Sequence, residues 1–172
     1  MEQLFSKTYD VKVIRSSNRA RTVSAKIEGN VMIVSAPIHL SEQKIAQMIE
    51  DFKKKFRKRE MKKEIEKNED IKIVAERLNR KYFEGLLKVN SIKYVTNQEK
   101  RFGSCSYRSG EIRISVELAR MPVWVRDYVI VHELAHLIEP NHGEKFRALE
   151  NRYEFTERAK GYLIAKGFNE DD

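Results

Sequence analysis

Residues 122–138, PVWVRDYVIVHELAHLI, limit the fold more than any other part of the chain. Proline suits a first helical position, because its φ is already helical and its missing N–H would have no partner there. Val123, Trp124, Val125, Tyr128 to Val131, Leu134, Leu137 and Ile138 then put apolar side chains on nearly every side. A helix that is apolar all round is buried, so this element predicts the centre of a core. Pro140 predicts its end near Ile138. Yet His132, Glu133 and His136 stand inside it, and burying such polar groups costs free energy unless something satisfies them.

His132 and His136 are four residues apart, so their rings share one face, one turn above the other. Two imidazoles so placed can hold one metal ion, and zinc is the usual guest. Glu133, beside the pair, suits a general base rather than a ligand, which is the HExxH arrangement. Zinc lowers the pKa of a bound water toward about 7 and polarises a carbonyl, and a nearby carboxylate can take the proton and pass it to a departing amine. A catalytic zinc also needs a third protein ligand. His142 is the leading candidate, because Glu139-Pro140-Asn141 forces the chain out of the helix and lets it turn back. Glu150, Glu154 and Glu157 remain rivals that would make a two-His, one-Glu site. The spacing His132-x3-His136-x5-His142 equals that of metzincin proteases, but Glu139 stands where their pattern has glycine and no methionine follows Met121.

The rest of the chain predicts an α+β fold. Residues 9–16, 21–27 and 31–37 alternate as strands around a Glu28-Gly29-Asn30 turn, which suggests an antiparallel β-meander ended by Pro37. Ser41 is a good N-cap for a helix carrying Ile45, Met48, Ile49, Phe52 and Phe56, running to about Lys67. A second helix is expected over residues 71–86, strands over 91–97 and 111–118, and short helices over 143–151 and 154–166. The organisation expected is residues 1–88, strands and a basic helical region, leading into a catalytic core at 89–172, as one integrated unit. The hairpin around Gly103 to Ile114 is a candidate edge for pairing with an extended substrate, or a plain core hairpin. Cys105 fits either a fourth metal ligand or a small residue in a tight place. Arg101, Tyr107 and Tyr153 are candidates for holding an oxyanion or a substrate carboxylate, and His39 reads as a surface residue.

Charge separates the two parts. Residues 1–100 carry 23 Lys+Arg against 14 Asp+Glu, whereas residues 101–172 carry 11 against 12. The excess is focused in KKKFRKREMKK, residues 53–63, which makes nucleic acid a candidate partner through Lys53–Lys63. A solvated basic face is the simpler alternative. No stretch of about eighteen apolar residues exists, which predicts no membrane-spanning helix. The N-terminus lacks the pattern of a signal peptide, and the single cysteine excludes an internal disulfide, so a cytoplasmic protein is expected.

With these residues assembled, the chain resembles the YgjP-like metallopeptidases, relatives of the SprT-like proteins. RFGSCS, residues 101–106, is similar to that family's RWGSCS element, with Phe102 in place of tryptophan. YVIVHELAHLIEPNHGEKF, residues 128–146, is similar to its metal motif, including the Asn141-His142 pair, although Arg147 stands where an aromatic residue is usual. The N-terminal strands with Ala36-Pro37 and the basic helix are similar too. The resemblance implies a compact gluzincin-like zinc peptidase core, a Zn2+ site from His132, His136 and His142, a catalytic Glu133, and a protein or peptide substrate. SprT-like relatives include DNA-dependent proteases, so it also admits DNA as a partner.

Overall fold

The structure, a computed structural model, describes residues 8–98 and 101–167. Residues 1–7, on which the leader expectation rests, and the tail 169–172 lie outside the described residues. The fold is α+β, and the chain divides into two compact units at the Met61–Lys62 junction. In sequence the second helix reads as a continuation of the basic region, which sets the expected division near residue 88. Its packing is with the helix that carries His132.

The first unit holds β1 (Asp10–Ser16), β2 (Ser24–Glu28), β3 (Val31–Pro37) and the first part of α1 (Glu42–Asn68). The two residues between β2 and β3 force those strands to be neighbours, and Gly29 at φ +61 accepts a turn conformation that a side chain resists. The sheet is not the expected antiparallel meander. Its order is β1-β3-β2, with β1 parallel to β3 (Val11 opposite Met32, Val13 opposite Val34) and β2 antiparallel to it. The reason is that β3 is the most apolar strand and gains most from a neighbour on each side, while the long link at residues 17–23 frees β1 to reach its far edge. Tyr9, Met32 and Val34 form the core, and Ile49, Phe52 and Phe56 of α1 pack against it. Ser41 caps α1 as expected, its Oγ accepting from Lys44 N–H at 3.4 Å.

The second unit contains α2 (Ile71–Phe83), β4 (Ser91–Val95), β5 (Gly103–Ser106), β6 (Glu111–Ser115), α3 (Val123–Ala135), α4 (Glu144–Glu150) and α5 (Thr156–Ala165). Asp70 caps α2 by accepting from Lys72 N–H at 2.9 Å, and the expected stripe of Ile71, Val74, Leu78 and Tyr82 is buried. The helix stops at Phe83, three residues short of expectation, where Glu84 and Gly85 both turn to positive φ. The sheet order is β4-β6-β5, with β4 parallel and β5 antiparallel to β6. The alternation that predicted a strand through Leu118 breaks at Ser115, whose hydroxyl accepts from Glu117 N–H and starts a 3-10 turn over Val116–Arg120.

α3 packs against α2, α4, α5, β5 and β6, as a helix apolar all round must. It also buries Arg126 and Asp127. Asp127 accepts from Arg126 and from Arg77 of α2, each at 2.7 Å, and Arg126 reaches Glu69 as well. Arg126 and Asp127 are therefore paired, which burial demands of them. Among the described residues no helix is long and apolar enough to cross a membrane.

Candidate metal centre

α3 delivers His132 and His136 one turn apart, and the chain then leaves the helix through turns that end at Pro140. The reversal brings His142 back. Its Nε2 lies 3.0 Å from Nε2 of His136, which lies 3.2 Å from Nε2 of His132. The three ligand atoms sit within 4.8 Å of one another.

The outer ring nitrogens show which tautomers face inward. His132 Nδ1 is 2.7 Å from Oε1 of Glu150, and His136 Nδ1 is 3.2 Å from the carbonyl of Glu139. Both acceptors lack hydrogens to give at neutral pH, so each Nδ1 carries the proton and each Nε2 presents a lone pair. Burial, helped by the neighbouring His132, pulls His136 down to about 4, so that ring is neutral at pH 7. Lone pairs facing each other at such distances repel unless a cation lies between them. Zinc–nitrogen bonds of about 2.0–2.1 Å at tetrahedral angles would set neighbouring nitrogens about 3.3 Å apart, so the donor set fits such an ion.

Glu133 follows His132 on α3 and packs against Gly103 of β5. It is almost wholly buried, and among the described residues its Oε2 has no hydrogen-bond partner. Burial pushes its carboxyl up to about 7, with His132 and Arg101 pulling the other way. The room it occupies exists because residue 103 is glycine. A Cβ built there would lie 2.1 Å from Oε1 and 2.7 Å from Cγ of Glu133, inside any tolerable contact. In the sequence Gly103 marks the RFGSCS element and the start of a hairpin; its place beside Glu133 is visible only once β5 lies along α3.

The rivals for third ligand go elsewhere. Glu150 stands behind His132 rather than among the converging nitrogens, and Glu154 accepts from Lys81 at 2.8 Å and from Tyr82. Glu157 is exposed on α5. Among the described residues Cys105 is not in the ligand cluster; burial, followed by the charge of Glu133, pushes its thiol up to about 12 and away from the thiolate a metal needs. Tyr153 is buried and donates to the carbonyl of Trp124, Tyr107 is exposed beside Arg108, and His39 is exposed. Of the three oxyanion candidates, only Arg101 acts electrostatically on Glu133.

Sequence reasoning missed the support behind the rings. α4 places Phe146 and Glu150 four residues apart on one face. The Phe146 ring lies against all three imidazoles, with centroids 4.9, 4.4 and 4.7 Å from those of His132, His136 and His142.

Residues 50–161 match the family described as YgjP-like, metallopeptidase domain. That match covers more than half of the chain and leaves β1 to β3 outside it. The crystal structure of the metallopeptidase zymogen of Pyrococcus abyssi abylysin is similar at a TM-score of 0.49 and 16% identity, over 56% of this chain and 94% of that one. No curated protein matches the chain.

Proposed function

The chain belongs to the YgjP-like metallopeptidase family, and from that premise we propose that it is a zinc-dependent peptidase. His132, His136 and His142 hold the ion, and Glu133 is the catalytic base. The observation that carries the reading is the convergence of three Nε2 atoms at 3.0 and 3.2 Å spacing, on the same helix that buries Glu133. The ion, when bound, supplies a Lewis acid that acidifies water and polarises the scissile carbonyl. Glu133 takes the water's proton on Oε2, the oxygen with no hydrogen-bond partner among the described residues, and returns it to the leaving amine. Gly103 keeps that carboxylate in place by offering no side chain against it. Among the described residues β5 pairs only with β6, so its other edge can take a protein or peptide as an added strand close to Glu133.

The test separates holding the metal from using it. Glu133→Gln keeps zinc at the parent's stoichiometry by elemental analysis, while casein hydrolysis falls by about 10³-fold, within the range for loss of a general base. Casein cleavage at the parent's rate by that variant would remove Glu133 from the mechanism.

A second reading adds a partner without changing the chemistry. Lys54, Lys55, Arg57, Arg59 and Lys63 are exposed along α1, which supports contact with nucleic acid phosphates. Replacing Lys53, Lys54 and Lys55 by Glu should then weaken DNA binding and flatten its salt dependence. Binding equal to the parent's would leave α1 as a solvated basic face.

A further inference from the structure

The three imidazoles are not anchored alike. His136 leans on a backbone carbonyl at 3.2 Å, a neutral acceptor. His132 leans on a carboxylate at 2.7 Å, and that carboxylate is only 3% exposed. A buried carboxylate is costly unless its lone pairs are met. Here they are met by three groups from two helices. Oε1 of Glu150 accepts from His132 Nδ1 and from Tyr128 Oη, both on α3, each at 2.7 Å. Oε2 faces Lys160 Nζ of α5 at 2.9 Å. Neither Tyr128, Glu150 nor Lys160 is among the converging ligand nitrogens.

We propose that Glu150 is a positioning residue that sets how tightly the site grips its metal, and that Lys160 works through it. The reading rests on the metal site assigned above. The carboxylate fixes the His132 ring in orientation and tautomer, so that Nε2 always presents its lone pair inward. It also makes the imidazole a stronger donor, because a negative acceptor draws the Nδ1 proton toward itself. Lys160 holds the second oxygen, which stops the carboxylate from rotating away from His132. A consequence follows from linkage: if docking of α5 strengthens the metal grip, metal binding strengthens docking of α5 by the same factor.

The experiment measures zinc affinity of the full chain by competition with a chelating dye, alongside thermal melting of each chelator-treated variant. Glu150→Gln keeps an oxygen for His132 but loses the charge and sets an amide against Lys160; it should weaken zinc binding by about 10–100-fold. Lys160→Met, which keeps the apolar stem, should weaken binding in the same direction by about 3–10-fold, with Lys160→Arg restoring most of the loss. Lys160→Met should have no further effect on affinity in the Glu150→Gln background, because its route to the metal is already cut. A purely structural role would lower the metal-free melting temperature and leave the affinity of the folded protein unchanged. Parent-like zinc affinity in Glu150→Gln overturns the proposal, and if that variant fails to fold, parent-like affinity in Lys160→Met does so. A parent chain that takes up no zinc, or a His142→Ala variant that binds it equally well, instead overturns the metal-site reading beneath it.

Discussion

α1 and α3 are both regular helices with opposite relations to solvent. α1 is 27 residues long and buries only Ile45 and Met61. α3 is 13 residues long and buries ten of them, including Arg126, Asp127 and Glu133. The contrast decides how a charge is to be read. On α1 no lysine is buried, so a cluster of them costs little and speaks only of what can approach from outside. On α3 a charge loses its water, so each one must be paired, coordinated or used. Arg126 and Asp127 are paired. Glu133 keeps a buried oxygen with no hydrogen-bond partner among the described residues, and that is the oxygen the proposed chemistry employs.

Substitutions can break this contrast, and the largest effect on stability belongs to α3. Asp127→Ala leaves Arg126 buried with Glu69 as its remaining carboxylate and should cost about 3 kcal/mol in urea unfolding, the lower end for a broken buried pair. A loss under about 0.5 kcal/mol, the usual limit for a surface change, would mean that α3 tolerates charge as α1 does. Gly103→Ala comes next. Its Cβ must displace Glu133, so stability should fall by about 1–3 kcal/mol. Casein hydrolysis should fall by about 100-fold as the base moves by about an ångström. Lost activity with unchanged zinc content would sharpen the division between holding and using the ion. The smallest effect lies on α1, where Lys54→Ala and Lys55→Ala should each change stability by no more than about 0.5 kcal/mol in the same unfolding assay.

The two regions also differ in how legible they were. The meeting of the three imidazoles could be read from the chain because its logic is local: four residues set two rings on one face, and a proline break returns the third. α1 was equally local in its cap and its first apolar stripe, Ile45, Ile49, Phe52 and Phe56. Met61 could not be placed that way. Sixteen residues on from Ile45, at about 100° per residue, it falls on nearly the opposite side of the helix, and yet it is buried. The same limit explains β1. Alternation identifies a strand and its two faces, but not its neighbour, so a meander and the observed β1-β3-β2 order look alike in sequence. Glu150 was noticed as a possible ligand because an acid near three histidines invites that reading; where α4 packs decided that it meets Nδ1 of His132.

Residue spacing alone determined that His132, His136 and His142 could meet and that Glu133 would lie beside them, because helical periodicity and a proline break act over a few residues and need no distant partner. Tertiary structure alone decided that Gly103 makes room for the Glu133 carboxylate, and that Glu150 and Lys160 stand behind His132. Those contacts join residues from different strands and helices, and distance along the chain carries no information about which surfaces will be pressed together when the apolar faces leave water.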